Sequence, residues 1–251
     1  MAVIAPLVAE AQVTFSRTEF QYQGGSAVVE GDLSPPGFQH TFTLQHASGW
    51  SHGDNFFFVD IVCCDDPVSN RDMYLEWYST LSLGALTDSE VSFGPVRDIG
   101  LIGGLNWGAQ PKVSVLTPGV RLALDLPAFA FANLDFVWLV DRSGGLGSGG
   151  APRGDGRLGV DFNWALPFAV GEHAFSVEGH GEWQSPRDIE TGGTQPFMVL
   201  LQPQIRYDIG KTLWGETGRI LIGTELQVWR NKFSVEGVHE FLPQLLVVWG
   251  F

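Results

Sequence analysis

The chain has 251 residues, a net charge of −14 and only 17% charged residues. Carboxylates outnumber Lys and Arg 28 to 14, which argues against a nucleic-acid partner, because phosphate binding is carried by basic side chains. Hydrophobic residues reach 44%, enough for a core, yet the longest apolar runs are about eight residues, short of the ~18–20 that a spanning helix needs.

In chain order, residues 1–11 come first. Residues 2–9 are apolar, and Ala9-Glu10-Ala11 fits the small-x-small pattern of a signal-peptidase site before Gln12. The expectation is the remnant of a secretory signal over 1–11, followed by one β-barrel unit over 12–251. From there period-two alternation dominates, in twelve segments near 18–24, 38–48, 54–62, 73–83, 97–107, 113–126, 128–140, 157–166, 173–183, 197–208, 220–230 and 242–251. Gly, Pro, Asp, Asn and Ser separate them, and no linker divides the chain. The adjacent Cys63 and Cys64 would point to opposite faces of a strand and read as two unpaired thiols.

The two parities differ chemically. In the third segment Phe57, Val59 and Ile61 oppose Asp54, Phe56, Phe58 and Asp60. In the fourth, Met73, Leu75, Trp77 and Leu81 oppose Tyr74, Glu76 and Tyr78. Leu134, Phe136 and Trp138 oppose Asn133 and Asp135; Leu158, Val160, Phe162 and Trp164 oppose Asp161 and Asn163. Glu178, His180 and Glu182 share the polar parity of their segment, and Leu245, Val247, Trp249 and Phe251 share the apolar parity of the last. A dry core would have to bury unpaired carboxylates at several kcal/mol each. A closed antiparallel barrel in a membrane instead turns the polar face to a wet lumen and leaves no sheet edge. Trp77, Trp107, Trp138, Trp164, Trp183, Trp229 and Trp249 are read as an outward girdle near the segment ends. The fold class expected is all-β: a transmembrane antiparallel β-barrel of about twelve strands, an up-and-down meander.

Other motifs carry less. The GxGxxG match at Gly145, Gly147 and Gly150 is followed by Ala151-Pro152-Arg153-Gly154, which forbids an immediate helix, so it reads as a flexible external loop. His40, His46 and His52 lack convergent ligand partners and read as interfacial or loop histidines. No metal, cofactor or catalytic set is expected. The lumen candidates are Asp54, Phe56, Phe58, Asp60, Tyr74, Glu76, Tyr78, Asp135, Asp161 and Glu178, with Arg121 and Arg206 as pairing partners. Aromatic planes beside carboxylates suit a flat ring bearing hydroxyls.

The segment Gly53–Asp60, Leu75-Glu76-Trp77, Val91-Ser92-Phe93-Gly94-Pro95 and the terminal Leu246-Val247-Val248-Trp249-Gly250-Phe251 together resemble the nucleoside-specific channel-forming outer-membrane proteins of the Tsx type. The resemblance implies a monomeric twelve-stranded barrel in the Gram-negative outer membrane, surrounded by its lipid, passing nucleosides. It also implies that Phe251 is read by the barrel-insertion machinery. This chain has only four Tyr, fewer than that family's lumen uses. Three functions are therefore weighed: a passive channel for small polar solutes, nucleosides first; a lipid hydrolase with His180 as base; and a plugged barrel with a structural or surface-binding role.

Overall fold

The computed structural model describes residues 12–31, 37–64 and 71–251; the proposed signal remnant at 1–11 lies outside them. Twelve staves close a barrel: β1 (Val13–Ser26), β2 (Phe38–Trp50), β3 (Gly53–Cys64), β4 (Arg71–Ser82), β5 (Val96–Gly108), β6 (Val113–Leu116 and Gly119–Leu124), β7 (Phe131–Asp141), β8 (Arg157–Val170), β9 (His173–Gln184), β10 (Met198–Asp208), β11 (Ile220–Arg230) and β12 (His239–Gly250). Each pairs antiparallel with its sequence neighbour, and β1 closes onto β12 from Glu19↔Gly250 to Gly25↔Gln244. β6 is split because Pro118 has no N–H for the ladder. Around the break Thr117 N–H donates to Gly104 O and Trp138 N–H to Pro118 O, so closure is kept.

The outer wall follows from the alternation. Phe136 stands in register with Val120 on one side and Val160 on the other, all facing outward. Leu44, Leu101, Leu201, Ile205 and Leu245 are likewise exposed on the exterior. A monomer in water does not present such a continuous apolar surface; hydrocarbon accommodates it. Aromatics gather towards both rims. Trp107, Trp138, Trp183, Phe38 and Phe241 lie towards one end of their strands. Phe168, Phe175 and Tyr207 stack on successive strands at the other end (centroids 5.4 and 5.0 Å), with Trp249 and Phe251 on the same rim.

Two parts of the girdle reading need correction. Trp229 shares the parity of Glu225 and sits opposite Glu240, so it points inward. Trp77 and Trp164 face out but lie mid-strand. Trp164 stands opposite Gly179 and Phe162 opposite Gly181, and the two rings stack at 5.3 Å over the side-chain-free neighbours.

The rim that carries the start of β1 and the end of β12 holds the two-residue turns 51–52 and 171–172, and two short helices: α1 (Leu83–Thr87), capped by Ser82, and α2 (Ile209–Trp214), capped by Asp208. The opposite rim carries the longest connections, 142–156 among them, and is the extracellular one by the usual asymmetry of such barrels. The glycine-rich connection there is pinned rather than flexible. Glu190 accepts from the N–H groups of Leu146 and Arg153, which hold its carboxyl below the ordinary range and tie 142–156 to 185–197. A 3-10 turn, Leu146–Ser148, replaces the helix that a phosphate-binding GxGxxG would need.

Candidate functional site

Among the described residues the interior holds a cavity of about 930 Å³. Its wall includes Asp54, Phe56, Phe58, Asp60, Glu76, Tyr78, Asp135, Asp161 and Glu178. Tyr74 faces inward as well, but its ring packs beside Phe58 (6.2 Å) outside the cavity wall, and its hydroxyl donates to Glu76.

One polar cluster is built around Arg121. Gly100 stands opposite it on β5, which leaves room for the guanidinium to lean across. Nε and Nη2 donate to both oxygens of Asp135 (2.8 and 2.7 Å), and Nη1 donates to Asp54 on β3 at 3.0 Å. β3 and β6 are not neighbours, so this bond is a chord through the interior. Asn163 donates to Asp161 (2.8 Å) and Asp135 (3.2 Å), and its carbonyl accepts from Asn133. His180 pairs with Gln202 through Nε2 (2.8 Å) and lies 3.6 Å from Asp161 through Nδ1. Both ring nitrogens therefore face an amide and a carboxylate, not a serine hydroxyl, so the geometry offers the hydrolase reading no nucleophile at this histidine.

A second cluster seals the β1–β12 side. Arg206, opposite Gly223, reaches Glu19 (3.1 Å) and Glu178 (3.2 Å) and donates from Nε to Gln204. Gln204 donates in turn to Glu225 and Gln21, Gln21 to Glu19, and Gln23 to Gln21. Leu242, Leu246 and Val248 are buried on the same inner side. Gln21, Gln23, Gln204, Arg206 and Glu225 of this cluster also line the cavity.

The rest of the wall is acidic and aromatic. Phe56 and Phe58 follow one another along β3 at 6.1 Å. Glu76 accepts from Tyr74 (2.6 Å), Tyr78 (3.0 Å) and Asn106 (2.9 Å), neutral donors that leave its charge unbalanced. Tyr78 fits because its partner across the ladder is Gly104, where any side chain would meet the phenol ring. Asp60 is held by the Thr43 hydroxyl. Nine carboxylates border the cavity against three arginines, Arg97, Arg121 and Arg206, so the lumen potential is negative.

The outward histidines serve other purposes. His46 bonds Thr18 and packs on Phe57, and His40 bonds Tyr22, both on the exterior. His52 sits in the 51–52 turn. Cys63 is a free thiol in β3 on the outward parity of Val59 and Ile61; the side chain of Cys64 lies outside the described residues. Sequence reasoning placed Glu225 on the polar face but missed Glu19, Gln21, Gln23, Asn106 and Gln204 as lumen partners. The spacing Glu19-x-Gln21-x-Gln23 carried the signal, being a polar parity as regular as that of β3.

Known proteins bear on this barrel. No protein-family model matches it. Over 214 residues it is 21% identical to "Outer membrane protein OmpK" of Vibrio parahaemolyticus, an alignment covering 82% of this chain and 74% of that one. Its fold is similar to the solved NanC porin, with a TM-score of 0.54 at 12% identity, covering 92% of this chain and 98% of that one. The KdgM porin aligns over 93% and 99% at 10% identity and a TM-score of 0.47. The chain is a bacterial outer-membrane β-barrel. The apolar exterior, the two aromatic belts and the closed twelve-stave meander are the physical side of the same statement.

Proposed function

We propose that this barrel is a passive channel for small polar solutes, with nucleosides as the leading class. The observation that carries the proposal is the interior cavity lined by mixed carboxylates, amides and aromatic planes within a closed barrel. A channel needs weak, successive contacts, strong enough to admit a solute and weak enough to release it. Phe56 and Phe58 offer faces for a flat base, while Asp60, Glu76, Asp161 and Glu178 accept from ribose hydroxyls. The fold likeness to the NanC porin lends support at the level of a solute channel; the choice of nucleosides rests on the lumen chemistry and on the resemblance to the Tsx type. Asp54 and Asp135, bound to Arg121, take a positioning part, and Tyr74 and Tyr78 orient Glu76.

In proteoliposome swelling, nucleosides are expected to enter faster than the corresponding nucleotides, because the negative lumen repels phosphate. Equal rates would contradict the proposal, and no swelling with any solute would favour the plugged barrel. Phe56→Ala together with Phe58→Ala removes two stacking faces worth about 0.5–1.5 kcal/mol each. Nucleoside block of the ion current should then weaken severalfold while the ion conductance is kept or rises.

A further inference from the structure

The connection between β11 and β12, residues 231–238, does not stand clear of the rim. Ser234 and Val238 are 3% and 2% exposed, and Asn231 is also buried. Arg157 opens β8 on the lumen parity of Asp161 and Asn163, and its Nη1 donates to Ser234 Oγ at 2.7 Å. β9 and β10 lie between β8 and the strand from which this connection leaves, so the bond is a chord across the mouth. On that side Met198, Leu200 and Leu242 are buried on the inner face, below the folded-in segment. Asn231 donates from Nδ2 to Phe197 O, and Lys232 binds both oxygens of Glu240, fixing the base of the segment to the wall.

The folded-in arrangement is held against two penalties. Asn231, Phe233 and Ser234 are non-glycine residues with φ of 51°, 55° and 59°, a run that persists only where its surroundings over-determine it. Arg157 is buried, yet among the described residues no carboxylate lies within ion-pair distance of it, and its Nε has no partner. A buried guanidinium with one hydroxyl partner recovers little of its lost hydration. Swinging the segment outward relieves both penalties, by relaxing the backbone and returning Arg157 to water. We propose that residues 231–238 form a lid over the extracellular end of the lumen, latched by Arg157 on Ser234.

The test does not depend on which solute, if any, the barrel carries. Leu200→Cys, in a chain also carrying Cys63→Ser and Cys64→Ser, places a thiol beneath the lid. A bulky, membrane-impermeant maleimide is applied from outside to intact cells. Adding Ser234→Ala or Arg157→Ala should raise the labelling rate at position 200 about tenfold or more, while Val235→Cys, on the exposed part of the segment, labels at one rate in all backgrounds. Heat-modifiable migration on gels reports folding, and Ser234→Ala keeps the test available if loss of Arg157 prevents assembly. Equal labelling at position 200 with and without the latch, or none in either while position 235 reacts, overturns the lid. A barrel that never conducts but still shows latch-dependent labelling would overturn the channel and leave the lid standing.

Discussion

Phe136→Arg is expected to destabilise the bilayer-embedded barrel by about 2–4 kcal/mol, the range for a charge near the membrane midplane on a lipid-facing strand position. Phe136 lies midway along β7 and is 40% exposed, with Val120 and Val160 beside it on β6 and β8. No carboxylate shares that outer parity nearby, so the guanidinium would have to reach a headgroup or draw water into the hydrocarbon. Trp138→Arg, two residues or about 5 Å closer to the rim on the same face, should cost less, between the midplane range and the roughly 0–1 kcal/mol of charges at the interface. Unfolding by denaturant from phospholipid vesicles, followed through tryptophan fluorescence, measures both. The gradient between the two positions matters more than either value. Equal losses at 136 and 138 would mean that depth in a bilayer does not govern this face, and the membrane reading of the exterior would fail.

The same parity rule explains what could be read from the chain. All twelve alternating segments correspond to staves; that at 220–230 coincides with β11, and most others lie within a few residues. β3 and β4 were the most legible because their two faces differ sharply, Phe57, Val59 and Ile61 against Asp54 and Asp60. The last strand was harder. Leu245-Leu246-Val247-Val248 is apolar on both parities, so alternation cannot say that Leu246 and Val248 help fill the β1–β12 side of the interior. Trp229 misled for the opposite reason: an aromatic near a strand end looks like a belt residue whichever way it points, and only the register with Glu240 turns it inward.

Pairings across the lumen were less legible still. That Arg121 and Arg206 would meet carboxylates followed from their parity. That Arg121 would bind Asp54, 67 residues earlier, depends on the barrel's closure and on which side chains meet over the lumen. The high glycine content, 32 residues, gains a physical reading in the same way. Gly100 faces Arg121, Gly223 faces Arg206 and Gly104 faces Tyr78, so missing side chains make room for the large ones that shape the cavity. The 142–156 connection illustrates the limit. Its glycines implied freedom, whereas Glu190, 40 or more residues away along the chain from Leu146, holds it by backbone donors.

Arg121 links these arguments, because it is at once a structural clamp and a component of the lumen's charge. Arg121→Met removes a bidentate partner from Asp135, which is buried, and a single one from Asp54, which faces the cavity. Breaking one side of a buried pair leaves an uncompensated charge and typically costs about 3–5 kcal/mol; water in the cavity beside Asp54 places the expected loss near 3. Arg121→Lys keeps the charge but cannot donate along both carboxylate oxygens in the fixed fork geometry, so it should lose less stability and keep the ion selectivity. Arg121→Met with Asp135→Asn removes both members of the buried pair and should recover most of the loss, the signature of coupling rather than lost packing. In planar bilayers Arg121→Met should shift the reversal potential further towards cation preference, since nine carboxylates would then face two arginines. Stability within 0.5 kcal/mol of the parent, with an unchanged reversal potential, would show that the Arg121 cluster neither clamps the barrel nor sets the charge of its lumen.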